Sequence, residues 1–316
     1  MKILFMGTPK FAVASLEAVA ISDEELIGVV TQPDRPKGRG EQIASSPVKD
    51  WAVEKGVPVY QPVKVREMGF LDKLRGLSPD LIVVVAFGQI LPKALLEIPQ
   101  KGCMNLHASL LPRYRGAAPI NWAIIRGERE TGVTTMLMEE GMDTGPILFQ
   151  ERVPIGPDDT AETLAERLQV VGARLLTRTI AELKAGRLKP DPQDSSRATL
   201  APLLKKEDGL IRWDQPAQTV VNRVRGLTPW PGAYTFCGPQ RLRLWKTTAL
   251  DPPAKPAAPG EILEVQRDGI LVATADRMIR IEELQPENKR RMKASEYLAG
   301  HPLAPGTILS QDKTAR

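Results

Sequence analysis

Asn105, His107 and Asp143 are the residues of this 316-residue chain whose types and spacing suit joint chemistry. His107 is one of only two histidines and ends an apolar run in the segment Asn105-Leu106-His107-Ala108-Ser109-Leu110-Leu111-Pro112. Asn105 and His107 are two apart, so on a β-strand they share a face, with Cα atoms roughly 6.6 Å apart. An amide and an imidazole at that spacing can donate to one oxygen, and a carboxylate beside the ring orients it and favours its charged form. The trio therefore suits attack on a carbonyl. On these residues alone two other readings stay open. One is a histidine that is merely structural; the other is a Ser109-His107-Asp143 triad, although no Gly-x-Ser-x-Gly elbow presents the serine. Cys103 shares the strand face, but four residues put it roughly 13 Å from His107, beyond hydrogen-bond reach.

Positioning these residues requires a sheet. Lys2 to Met6, Leu26 to Val30, Val57 to Tyr60, Leu81 to Ala86, Cys103 to His107 and Val133 to Met138 read as strands. Helical periodicity over Phe11 to Val19, Pro47 to Lys55, Glu67 to Leu74 and Pro119 to Arg126 alternates with them. Such alternation predicts an α/β fold, a doubly wound, mostly parallel Rossmann-like sheet. A right-handed crossover through the Pro119 to Arg126 helix would return the 133–138 strand beside 103–107 and make Asp143 a neighbour of His107 at the carboxyl edge. Thr160 to Ala185 reads as one long amphipathic helix, capped by Asp159 or Thr160 and ended by Gly186. Leu188 to Leu200 is polar and proline-bearing, as linkers are. Beyond it, a helix over Thr219 to Arg225 precedes short strands around 233–236, 242–247, 262–265, 270–274 and 278–284, which predict a smaller OB-like β-barrel. The expected domains are 1–187 (catalytic), 188–206 (linker) and 207–316 (OB-like).

Composition narrows the classes. Hydrophobic content of 42% and charged content of 26% are those of a globular protein, and no run approaches the roughly 20 apolar residues that span a bilayer. Met1 to Met6 runs into Gly7-Thr8-Pro9 without a secretory layout, and two cysteines support neither a disulfide framework nor a cysteine zinc site. A cytoplasmic, metal-free, monomeric protein is expected. The first strand-to-helix turn, Gly7-Thr8-Pro9-Lys10-Phe11, lacks the further glycines that admit a pyrophosphate, so no dinucleotide is expected. The net charge of +5 is compatible with a polyanionic partner.

The run Asn105-Leu-His107-Ala-Ser109-Leu-Leu-Pro112-Arg113-Tyr114-Arg115-Gly116-Ala117-Ala118-Pro119, with Asp143-Thr144-Gly145, resembles the active-site signature of formyltransferases that use 10-formyltetrahydrofolate. Gly7-Thr8-Pro9, Gly38-Arg39-Gly40, Ala86-Phe87-Gly88-Gln89-Ile90-Leu91-Pro92 and Pro229-Trp230-Pro231-Gly232 extend the resemblance over nearly the whole chain. The loop Thr31-Gln32-Pro33-Asp34-Arg35-Pro36 points to the branch that formylates methionyl-tRNA. The resemblance implies Asn105, His107 and Asp143 as the catalytic trio. It implies Ser109, Leu110, Leu111 and Pro112, with Phe87, Gly88, Ile90 and Leu91, as the folate site. It also implies that Arg39 lies in a basic loop entering the acceptor end of initiator tRNA.

The residues themselves fit those roles. Arg35, Lys37 and glycine-flanked Arg39 could wrap phosphates, although a plain surface loop has the same charge pattern. Arg223, Arg241, Arg243 and Lys246, with Arg225, Lys289, Arg290, Arg291 and Lys293, are candidates for a C-terminal phosphate track, while Lys289 to Arg291 fits a solvated turn equally well. Trp213, Trp230 and Trp245 are expected in the core, not as base-stacking platforms. The expected reaction is formyl transfer from 10-formyltetrahydrofolate to the amino group of initiator methionyl-tRNA. The rivals are a related formyltransferase acting on a small amine, such as an amino-sugar nucleotide, and a non-catalytic RNA-binding module.

Overall fold

The computed structural model describes residues 1–37 and 42–312. The chain divides into two compact units, one of Met1–Pro119, Glu130–Pro154 and Ala165–Pro202, the other of Ile120–Arg129, Ile155–Leu164 and Leu203–Arg316.

The first unit is built on a seven-stranded sheet. Its strands are β1 (Lys2–Gly7), β2 (Glu25–Val30), β5 (Val59–Tyr60), β6 (Leu81–Val85), β7 (Cys103–His107), β8 (Glu130–Leu137) and β9 (Ile147–Pro154), in the order β5-β2-β1-β6-β7-β8-β9. After β2, β3 (Arg35–Lys37) pairs antiparallel with β4 (Gln42–Ala44) in a separate two-stranded sheet. The helices are α1 (Lys10–Ala20), α2 (Pro47–Glu54), α3 (Met68–Leu77), the short α4 (Lys93–Leu96) and α6 (Ala161–Lys184); most of α5 (Pro119–Ile125) clusters with the second unit.

The strands from β5 to β7 pair in parallel, as a doubly wound sheet requires. The last two do not: β8 lies antiparallel to β7, with His107 opposite Thr134 and Met104 opposite Leu137, and β9 is antiparallel to β8. The expected parallel crossover is thus incorrect, because hydrophobic periodicity carries no strand direction. β9 itself was not anticipated; it is an edge strand, and its exposed Glu151 and Arg152 break the apolar run.

The sheet's alternation sets the site. β6, Leu-Ile-Val-Val-Val, is buried throughout, the β-branched signature of a central parallel strand. Leu4, Met6, Ile82, Val84 and Cys103 share one core with Leu71, Leu74 and Leu95. Asn105 and His107 continue the Cys103 face of β7 past that core. Leu106 points the other way, against α6 at Gly172, where a Cβ would lie 2.8 Å from Leu106 Cδ2. α6 is capped by Thr160, whose Oγ1 accepts the Thr163 N–H at 3.2 Å, and the chain turns away just past its end at Gly186, with φ of +67°.

The second unit holds α7 (Ala217–Gly226), β10 (Ala233–Cys237), β11 (Gln240–Leu250), β12 (Ile262–Gln266), β13 (Gly269–Ala273), β14 (Met278–Pro286), β15 (Met292–Lys293), α8 (Ala294–Gly300) and β16 (Leu309–Ser310). Its antiparallel sheet runs β12-β13-β14-β11-β10-β16. Register shifts at Leu244 to Thr247 bend β11. Leu309 pairs with Cys237 while Ile308 bridges Glu261, which draws the sheet into a curled, half-barrel form. Leu242, Leu244, Ile270, Val272, Ile279 and Ile281 fill its interior.

Trp213 is in the core, its Nε1–H donating to Thr235 Oγ1 at 3.0 Å. The other two tryptophans are not, contrary to expectation. Trp230 is 52% exposed, and half-buried Trp245 has the guanidinium groups of Arg243 and Arg291 against its ring, 4.0 and 4.7 Å from the ring centre. Composition alone does not separate a core tryptophan from one stacked under cations.

Candidate active site

β7 ends in Asn105-Leu106-His107, and both polar side chains are nearly buried, Asn105 at 8% and His107 at 6% exposure. The β8–β9 connection, residues 138–146, brings Asp143 to them. Its Oδ2 lies 3.7 Å from His107 Nδ1, and its Oδ1 lies 3.5 Å from Asn105 Nδ2. The trio picked out by residue type is therefore one cluster.

The other ring nitrogen fixes the tautomer. His107 Nε2 is 2.9 Å from the Tyr114 carbonyl oxygen. A carbonyl only accepts, so Nε2 carries the proton, and in the neutral ring Nδ1 presents a lone pair towards Asp143. Only the imidazolium can donate through Nδ1 while keeping the Tyr114 contact. Asp143 is held from behind, where Gly116 N–H donates to its Oδ2 at 2.8 Å. Its backbone is left-handed, with φ of +53°, a conformation Asp tolerates better than most residues, at a cost of about 1 kcal/mol. Gly116 itself has φ of +118°, and a Cβ there would sit 2.7 Å from the Ala201 carbonyl oxygen. At Gly145 the chain passes so near β8 that a Cβ would lie 1.9 Å from Leu137 O.

Ser109 is wholly buried; its hydroxyl donates to Arg113 O at 2.7 Å and closes the 109–113 turn. That geometry removes the hydrolytic triad. Leu111 is buried and Leu110 and Pro112 are half-buried. Phe87 and Leu91 belong to the sheet core, whereas Gly88 is exposed and Ile90 is 84% exposed. A cavity of about 520 Å³ at the carboxyl ends of β1, β2 and β6 is lined by Thr8, Gln32, Arg35, Ser46, Phe87 and Gly88, among others. At its wall the Phe87 carbonyl accepts from Thr8 Oγ1 at 2.9 Å and from Gln32 Nε2 at 3.3 Å.

The basic loop begins at an anchored base. Asp34 accepts from Lys49 Nζ and from Gln61 Nε2, contacts that hold its carboxyl below the usual range. Exposed Arg35 donates to Gln32 Oε1 at 3.2 Å. Lys37 ends β3, and Arg39 lies outside the described residues.

The C-terminal cations divide by burial. Arg223 donates to the Asp208 carbonyl and Arg243 to that of Pro229, and burial pushes both guanidinium groups below their ordinary range. Arg225 is likewise spent, donating to Gly156 O at 2.9 Å. Arg241 and Lys246 are exposed and pair with Glu287 and Glu282 at 3.2 and 2.8 Å. Exposed pairs of this kind are weak and exchange readily for a phosphate.

Three contributors escaped sequence reasoning: the Tyr114 carbonyl, the Gly116 N–H and Gln193, whose side chain reaches the Asp143 and Gly145 carbonyls at 2.8 and 2.7 Å. Two are backbone groups, which any residue carries. Gln193 sits among prolines and serines with no periodicity to mark it.

An αβ sheet that clusters amide, imidazole and carboxylate, joined to a curled antiparallel domain, is the arrangement of one class of enzyme. The chain belongs to the formyl transferase family, whose N-terminal model matches residues 1–180 and whose C-terminal domain model matches 203–302. Within that family it is similar to the methionyl-tRNA formyltransferases of Citrifermentans bemidjiense and Geobacter sulfurreducens, each 52% identical over 311 residues, with 98% of this chain and 97% of the relative covered. Solved structures share the fold. An N-formyltransferase from Helicobacter canadensis, in complex with folinic acid and dTDP-3-aminofucose, aligns with a TM-score of 0.69 at 19% identity, over 89% of this chain and 98% of its own. HypX from Aquifex aeolicus, in complex with tetrahydrofolic acid, aligns at 0.62 and 20% identity over 94% of this chain and 47% of its own. No described helix is long and apolar enough to cross a membrane, and among the described residues no three His, Cys, Asp or Glu converge as a metal-ligand set.

Proposed function

We propose that this enzyme transfers the formyl group of 10-formyltetrahydrofolate to the α-amino group of initiator methionyl-tRNA, with Asn105, His107 and Asp143 as the catalytic residues. The observation that carries the mechanism is the convergence of the three side chains, with the His107 tautomer set by Tyr114 O. Residues 1–187 form the catalytic domain of this reading, 188–206 the connection and 207–316 the tRNA-binding domain. The protein acts in the cytoplasm as a monomer.

An α-amino group has a pKa near 7.7 to 8.0, so much of it is neutral at physiological pH and needs no strong base. Its nitrogen lone pair attacks the formyl carbon, and the carbonyl π electrons move onto oxygen. Asn105 Nδ2–H and the Nδ1–H of His107 imidazolium donate to that oxyanion; one such donor is typically worth about 2.7 to 4 kcal/mol. Asp143 stabilises the imidazolium and accepts the proton that the attacking nitrogen sheds, through water. The bond from formyl carbon to N10 then breaks, N10 takes a proton, and formylated methionyl-tRNA and tetrahydrofolate leave. Gly88 and Ile90 line the exposed rim of the folate site, backed by Phe87 and Leu91, while the Ser109 to Pro112 turn shapes its floor. Arg35, Lys37 and Arg39 grip the acceptor end of the tRNA, and Arg241 and Lys246 add exposed phosphate contacts; Arg223 and Arg243 brace the surface that carries them.

A competition assay tests the reading. With 10-formyltetrahydrofolate supplied, methionyl-tRNA, free methionine and an amino-sugar nucleotide are offered, and methionyl-tRNA is expected to be the amine formylated. Preferential formylation of the amino sugar would replace this reading with the small-amine one.

A further inference from the structure

The geometry points to Gln193 as the positioning residue that holds Asp143 in its working orientation, an inference that rests on the catalytic role proposed for Asp143. Gln193 lies in a stretch whose composition marks it as connecting chain, yet that stretch is stitched along the site. The N–H groups of Asp191 and Ile147 each donate to the other's carbonyl at 2.8 Å. Eight residues on, Thr199 accepts the Tyr114 N–H at Oγ1 (2.9 Å) and the Arg115 N–H at its carbonyl (2.8 Å). The same segment therefore ties down the loop that bears Asp143 and the turn whose Tyr114 carbonyl holds His107.

Between those two ties, Gln193 makes the contact that matters for Asp143. Arg115, only 8% exposed, directs Nε and Nη2 at Gln193 Oε1, at 3.1 and 2.8 Å. A guanidinium has donors only, so the amide oxygen must face it and the amide nitrogen must face away. Both N–H groups are thereby aimed at the carbonyls of Asp143 and Gly145. Asp143 has a left-handed backbone that the chain does not favour by itself. Pinning its carbonyl and the one two residues on holds that conformation, and with it the direction of the carboxylate towards His107 and Asn105. Arg115 is the orienting charge, Gln193 the arm, and neither has a described contact with Asn105 or His107.

Gln193→Glu is the direct test, because it keeps the shape and the Arg115 contact while replacing both N–H donors with an acceptor oxygen. Displacing a catalytic group by about 1 Å can cost 10²-fold, so kcat should fall about 10- to 100-fold, with KM for folate and for methionyl-tRNA within about twofold. Gln193→Met, which removes the donors without adding charge, should give the same split, and it covers the case in which the glutamate variant folds poorly. A double variant separates positioning from general structural support. If Gln193 acts through Asp143, then Asp143→Asn with Gln193→Glu should be no slower than Asp143→Asn alone, since the second change has nothing left to misplace. Independent multiplication of the two losses, or a kcat for Gln193→Glu and Gln193→Met within twofold of the parent while Asp143→Asn is crippled, would overturn the proposal. Near-normal turnover by Asp143→Asn would instead sink the assignment on which it rests.

Discussion

Replacing Asp143 with Asn is the sharpest perturbation of the site, because it changes charge with little change of shape. The Asn oxygen can still accept the Gly116 N–H, and Asn tolerates φ of +53° as well as Asp does. What disappears is the carboxylate 3.7 Å from His107 Nδ1, where the two side chains are 15% and 7% exposed. At an effective dielectric of about 20 that separation is worth roughly 4 kcal/mol for a unit charge pair. If His107 is neutral in the free enzyme and takes its second proton from solvent on the way to the transition state, the whole of that energy is lost there, and turnover falls by on the order of a thousandfold. Single-turnover formylation with enzyme in excess over methionyl-tRNA isolates that step from product release. A melting temperature close to the parent's should accompany the loss. A single-turnover rate within tenfold of the parent would refute the charge-pair argument, since no plausible dielectric for so enclosed a pair makes it that weak.

Other expectations follow from burial. Burial alone pushes the Cys103 thiol up to about 12, from 9.0, and burial is the main cause that raises Tyr297 to about 12. Both groups ionise more readily unfolded than folded, so stability is retained below about pH 9 and lost as pH rises towards 12, Cys103 contributing on the order of 4 kcal/mol. Chemical denaturation at pH 8 and pH 11 should show that decline, and Cys103→Ala should flatten it. Gly145→Ala forces a Cβ to within 1.9 Å of Leu137 O and should cost about 2 kcal/mol or more, read as a lower melting temperature with activity lost in parallel. Arg241→Ala should leave melting unchanged and reduce the salt slope of tRNA binding by about one, whereas Arg223→Ala, which removes a half-buried donor to Asp208 O, should lower the melting temperature.

Much of this molecule was legible in the chain, for reasons that differ element by element. β1, β6 and the start of β7 announce themselves because strands buried along nearly their whole length are written in apolar residues, and β2 because its last three residues are buried. Asn105 and His107 stand out because they interrupt such a run. Direction is another matter: Glu130 to Leu137 alternates identically whether it runs with β7 or against it, so the antiparallel pairing could only be seen in space. The β3–β4 pair hides because Arg35-Pro36-Lys37 and Gln42-Ile43-Ala44 are each only three residues long and carry no run of apolar residues to mark a strand. Likewise Asp143 finds His107 by an arching loop, not by neighbouring strand ends. Gln193 and Tyr114 act through a side-chain amide and a backbone carbonyl whose partners lie 50 and 7 residues away.

The left-handed backbone at residue 143 also shapes what mutation can do there. Of the residues one nucleotide change can reach from an aspartate codon, Asn, Gly and to a lesser degree His accept that φ, and none of them carries a carboxylate. Glu would keep the charge but strain the loop, and Ala or Val would lose charge and conformation together. Selection at this position therefore acts through two filters at once, one for the carboxylate and one for the chain. Reversion to Asp is the one short path by which a variant enzyme could recover both, and a library screened at residue 143 should return almost nothing else.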